Sequence, residues 1–125
     1  MKITSFNPML LTPKADDVIK LFEELGFEKT HSPTVDTGKS LVTSTRMKDP
    51  NGFSIDIAGI DSLPQDFPII RMNVDDFDEA FEFLSSRGFT HKGGAKVVET
   101  KTNKSAMMTA PSGFAFDLCQ HIKED

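Results

Sequence analysis

Asn51-Gly52-Phe53-Ser54-Ile55-Asp56-Ile57 and Ser112-Gly113-Phe114-Ala115-Phe116-Asp117-Leu118 read as one phrase written twice, with Gly52 and Gly113 61 positions apart. A second echo lies upstream of each. Phe22-Glu23-Glu24-Leu25-Gly26-Phe27 returns as Leu84-Ser85-Ser86-Arg87-Gly88-Phe89, its glycines 62 positions apart. Two echoes at nearly one offset point to a duplicated module, and two such copies can enclose a site that neither forms alone.

Working outward from the first phrase, Asp49-Pro50-Asn51-Gly52 is a turn signal, with proline setting φ at its second position and glycine relieving its last. The turn joins two extended runs, Ser40 to Met47 and Gly52 to Ala58, into a hairpin. Further upstream, Ala15, Val18, Ile19 and Phe22 recur at i, i+3, i+4 and i+7, which gives a helix one apolar face. Asp16 and Asp17 favour its start and Gly26 its end. Ahead of Pro13, residues 2 to 12 read as a strand. The stretch from Gly59 to Pro68 lacks periodicity and is expected to link the modules.

The second copy repeats the order. Ile69 to Val74 is a strand, Phe77, Ala80, Phe81 and Leu84 form a helix face, and Gly88 ends that helix. A loose extended segment from Phe89 to Thr100 follows, then Ser105 to Thr109, the turn Ala110-Pro111-Ser112-Gly113 and a last strand from Gly113 to Gln120. Strand, helix and three strands, twice over, define an α+β protein with no phosphate-binding glycine loop. The expected organisation is a single domain over residues 1–125, made of βαβββ modules at about 1–59 and 67–121.

Charge narrows the partners. With 14 Lys+Arg against 19 Asp+Glu the formal net charge is −5, which opposes non-specific nucleic-acid binding and favours a small-molecule ligand. Cys119 is the only cysteine, so no disulfide can form within the chain and a reducing, cytoplasmic setting is expected. No run approaches the roughly 20 apolar residues of a membrane span, and no membrane role is expected.

Taken together, the first strand, Phe22 through Phe27, the turn at Asp49 to Gly52 with Ile55-Asp56-Ile57, and their second-module counterparts resemble the vicinal oxygen chelate superfamily. That superfamily includes glyoxalase I, extradiol dioxygenases and bleomycin-resistance proteins. The resemblance implies paired βαβββ modules curled into a cup, a mixed sheet with helices outside. In many enzymatic members it also implies a divalent metal held by first and last strands. The first-strand ligand position, often histidine, falls on Asn7 and its counterpart on Ile69; the last-strand position, usually glutamate, falls on Asp56 and Asp117. Isoleucine coordinates nothing, and zinc, nickel or iron sites lean on imidazole. No metal is therefore expected. A hard divalent cation on Asn7, Asp56 and Asp117 stays open as the alternative.

Strand alternation extends the candidate ligand-binding set, since residues two apart share a face. Met9 accompanies Asn7, Arg71 and Asn73 accompany Ile69, and Cys119 and His121 accompany Asp117. Arg71 could neutralise the carboxylates as a metal would. Asp56 and Asp117 are candidate acid/base groups, although strand-end hydrogen bonding accounts for the same placement. Cys119 is a nucleophile only if a neighbour lowers its pKa, and otherwise a buried thiol. Met47, Met107 and Met108 suit either an adaptable apolar lining or gap filling. Lys92, Lys96, Lys101 and Lys104 suit either an anion-attracting lid around Gly93-Gly94 or a solvated hairpin. Three function classes remain: a binding protein of the bleomycin-resistance type, a metal-dependent glyoxalase-like lyase, isomerase or dioxygenase, and a duplicated domain kept for assembly alone; in each case a homodimer is expected.

Overall fold

The computed structural model describes residues 1–31, 34–36, 41–91, 98–99 and 103–121. Lys92, Gly93, Gly94, Lys96 and Lys101, the core of the expected lid, lie outside the described residues. By their contacts the chain forms two units, one of Asn7–Pro68 and one of Met1–Phe6 with Ile69–Asp125. Both are α+β, and each follows the order strand, helix and further strands that the sequence predicts.

In the Asn7–Pro68 unit, β1 (Ile3–Thr12) leads to α1 (Ala15–Glu24), followed by β2 (Glu28–His31), β3 (Thr34–Asp36), β4 (Leu41–Lys48) and β5 (Ser54–Gly59). The strands lie in the order β2, β4, β5, β1, with β3 also paired to β4. The β1–β5 pairing is parallel and the β4–β5 pairing antiparallel, so the sheet is mixed. The expected turn closes the hairpin: Gly52 N–H donates to the Asp49 carbonyl at 3.0 Å and Asp49 N–H to the Phe53 carbonyl at 2.9 Å. Asp49 also accepts from Asn51 and Phe53 through its side chain, at 3.1 and 2.8 Å. Gly52 sits at φ +90°, a conformation that costs an L side chain steric strain.

The other unit repeats this plan with β6 (Phe67–Val74), α2 (Phe77–Ser86), β7 (Val98–Glu99), β8 (Asn103–Thr109) and β9 (Ala115–His121). Its strands run β6, β9, β8, β7, again with one parallel pair, β6–β9, beside an antiparallel hairpin, β8–β9. The second turn copies the first: Gly113 N–H reaches the Ala110 carbonyl at 2.9 Å and Ala110 N–H the Phe114 carbonyl at 2.7 Å.

Each unit packs one sheet face on its own helix. Met47, Ile55 and Ile57 are buried against Ala15, Val18, Ile19 and Phe22 of α1, with Phe27 at the edge. Met72, Val74, Ala106, Met108 and Leu118 are buried with Phe77, Ala80 and Leu84 of α2. Met47 and Met108 thus fill helix-side cores, the gap-filling role, while Met107 belongs to the opposite face by alternation. The helices differ in depth. Three residues of α2 are fully buried and none of α1, because α1's stripe is only half covered.

Candidate functional site

The face of the Asn7–Pro68 unit turned away from α1 carries the chemistry. Pairing register sets its rows: Arg46 lies opposite Asp56 across β4–β5, and Asp56 opposite Met9 across β5–β1. Asn7, two positions before Met9, shares that face. Asp56 is only 1% exposed and Asn7 7%, so both polar groups need partners inside the fold.

Those partners are one another and Arg46. Arg46 Nε donates to Asp56 Oδ1 at 3.0 Å and Arg46 Nη2 to Asp56 Oδ2 at 3.0 Å, a two-pronged grip on the carboxylate. Asn7 Nδ2 donates to Asp56 Oδ2 at 2.7 Å and to the Pro8 carbonyl at 3.0 Å. Asn7 Oδ1 in turn accepts from Arg46 Nη2 at 3.3 Å. A planar guanidinium matches a carboxylate edge to edge, and charge-assisted bonds of this kind are the strong ones. The Arg46 side chain remains 29% exposed, so the clamp runs from buried carboxylate to accessible cation.

The expected Asn7, Met9 and Asp56 are therefore brought together, and Arg46 is the member that sequence reading missed. A signal for it exists. Counting back and forward from the Asp49–Gly52 turn, with Lys48 opposite Ser54, places Arg46 opposite Asp56.

In the other unit Arg71 lies opposite Asp117 across β6–β9, and Asp117 opposite Met107 across β8–β9. Asp56 and Asp117 are 61 positions apart, as are Arg46 and Met107, while Met9 and Arg71 are 62 apart. Each unit thus has a row with aspartate at its centre, and the flanking arginine and methionine have exchanged sides. Asn73 lies opposite Cys119, one row further along. Cys119 is buried and its thiol points to the Asp117 carbonyl at 3.6 Å. His121 is exposed at the end of β9. His91 sits against Phe81, with ring centroids 6.2 Å apart.

The metal that the resemblance implies does not fit these residues. Both oxygens of Asp56 and the carbonyl oxygen of Asn7 already accept from Arg46, and a guanidinium charge in contact with these oxygens repels a divalent cation from them. Ile69 adds no donor. Among the described residues no three His, Cys, Asp or Glu side chains gather as a metal site would require.

With this geometry in hand, comparison with solved structures defines the class: the chain has the vicinal oxygen chelate fold. A Streptomyces coelicolor methylmalonyl-CoA epimerase variant in complex with 2-nitronate-propionyl-CoA gives a TM-score of 0.68 at 11% identity, over 98% of this chain and 100% of that one. A glyoxalase/bleomycin resistance protein/dioxygenase superfamily member from Vibrio splendidus 12B01 gives 0.59 at 17% identity, over 97% of this chain and 100% of that one. A glyoxalase I variant from Zea mays gives 0.68 at 12% identity, over 98% of this chain but 44% of that one. Identities this low establish likeness of fold. No protein-family model and no curated protein matches the sequence. Among the described residues no helix is long and apolar enough to cross a membrane.

Proposed function

We propose that this chain is a small-molecule-binding protein of the glyoxalase/bleomycin-resistance type whose polar centre works without a divalent metal. The observation that carries the reading is the Arg46 clamp. At the position where the resemblance puts a metal-binding carboxylate, Asp56 gives both oxygens to a guanidinium that the chain itself supplies. A resident cation of this kind orients donors toward a ligand and neutralises a buried carboxylate, with no ion to acquire or lose. Arg71 beside Asp117 would do the same in the second unit, with Asn73, Cys119 and His121 as further ligand-facing residues. The reading takes the chain as a homodimer of the cytoplasm, in keeping with its single buried thiol.

The alternative, a metal-dependent lyase, isomerase or dioxygenase, requires Asp56 to release Arg46. Elemental analysis of protein purified without chelators separates the two, alongside thermal shifts with a small-molecule panel. The expected result is ligand-dependent stabilisation that a chelator leaves unchanged. Stoichiometric metal that disappears in Asp56→Asn would overturn the proposal.

A further inference from the structure

Asn51 and Gly52 close the turn between β4 and β5, and theirs is the chain's one Asn-Gly step; Asn7, Asn73 and Asn103 precede proline, valine and lysine. Both turn residues are exposed. A Cβ built on Gly52 would meet nothing within 4 Å, so no neighbour crowds its backbone nitrogen against the Asn51 amide. That nitrogen donates to the Asp49 carbonyl at 3.0 Å, a bond in an exposed turn that local opening releases. The Asp49 carboxylate is already engaged, accepting Asn51 N–H at 3.1 Å and Phe53 N–H at 2.8 Å. The twin turn carries Ser112 before Gly113 and has no side-chain amide at that place.

We propose that Asn51 is a modification site, where deamidation through a cyclic imide loosens the hairpin that carries the Arg46–Asp56 clamp. The Gly52 nitrogen attacks Cγ of Asn51. The bond from Cγ to the side-chain nitrogen breaks, and that nitrogen leaves as ammonia with the proton given up by Gly52 N–H. Water then opens the ring at one of its two carbonyls. One opening leaves aspartate; the other leaves isoaspartate, whose main chain passes through Cβ and Cγ and is one carbon longer. Glycine favours the attack because no side chain stands beside its nitrogen. Either product strains the turn. Aspartate puts a second carboxylate beside that of Asp49, and isoaspartate displaces Gly52 N–H from the Asp49 carbonyl. Arg46–Asp56 is the third pair from the turn, after Lys48–Ser54 and Met47–Ile55, so slack at the turn reaches the clamp through the register of the hairpin.

The test incubates the native chain and Asn51→Ser, which carries the twin's residue, at mildly alkaline pH, where the amide nitrogen gives up its proton more readily. Peptide mapping by mass spectrometry is expected to find conversion at Asn51, with Asn7, Asn73 and Asn103 unchanged. Conversion in the folded chain should run about two- to tenfold slower than in urea, the effect of one modest hydrogen bond on the attacking nitrogen. The separated modified chain is expected to melt below the native chain and to exchange Arg46 Nε–H and the amide hydrogens of β4 and β5 faster. Asn51→Ser should keep its melting temperature and exchange rates through the same incubation. Asn51 still intact in the folded chain when the urea sample is fully converted would overturn the site. A modified chain with native melting temperature and native Arg46 exchange would overturn the link to the clamp. Equal loss of Arg46 protection in incubated Asn51→Ser would overturn that link as well, because the cause would lie elsewhere in the chain.

Discussion

Arg46 and Asp56 face each other across one hairpin, and a single guanidinium occupies both oxygens of a carboxylate that is 1% exposed. Removing the cation leaves that carboxylate buried beside Asn7 alone among its named partners. Breaking a buried pair costs about 3–5 kcal/mol, and partial exposure of Arg46 puts the expectation at the lower end for Arg46→Met. Adding Asp56→Asn removes the stranded charge and should restore part of the loss. Urea unfolding of the two single variants and the double variant measures this. A loss in Arg46→Met no larger than the ~1 kcal/mol of an exposed pair would mean that solvent already screens the carboxylate.

Leu118 of β9 is fully buried in the core that α2 covers, among Met72, Ala106 and Met108. Truncation there removes transfer energy and leaves a cavity that close-packed neighbours fill incompletely. Leu118→Ala should cost about 2–5 kcal/mol, read as a lower urea midpoint with an unchanged slope. A change in slope would point to loss of two-state unfolding instead.

Asp76 caps α2, its side chain accepting from Glu79 N–H at 3.0 Å. Gln120 completes the helix start, taking Phe77 N–H at 2.8 Å and giving its amide to the Asp75 carbonyl at 2.9 Å. Asp76→Ala should therefore cost about 1 kcal/mol. α1 has no such device, since Lys14 at its cap makes no side-chain bond. Lys14→Ser should raise the melting temperature slightly, and a fall would show that Lys14 contributes to stability in some other way.

The fold was legible because its signals are local. A Pro-Asn-Gly turn, an i, i+3, i+4, i+7 stripe and a glycine after it each act over a few residues, and the duplication let each signal check its twin. Strand ends moved by one or two residues, as for β6, which begins at Phe67 rather than Ile69. The site was half legible. Resemblance pointed to Asn7 and Asp56, which the structure places in hydrogen-bond contact, but Arg46 sits in mid-strand between Thr45 and Met47 and nothing in its neighbours marks it. Its role comes from register, a relation between strands that single-strand patterning does not contain.

Lys104 of β8 reaches Asp78 at 2.8 Å and lies over the Phe77 ring, 5.1 Å from its centroid, so it ties the hairpin to the start of α2. The hydrogen bond to Asp78 is the main reason its pKa is raised above the ordinary lysine value. A group with a raised folded pKa binds its proton more tightly when folded, so its contribution is complete below the unfolded pKa. That contribution disappears as pH rises through the folded value. The native chain should consequently lose more stability than Lys104→Met when pH is taken from neutral to beyond the lysine range, with the two converging at the alkaline end. Because the pair is exposed, the difference at neutral pH should be small and should shrink with added salt. Thermal melts of both proteins across that range, at low and high salt, check the sign. A gap that widened toward alkaline pH would mean that Lys104 acts through its aliphatic stem on Phe77 and not through its charge.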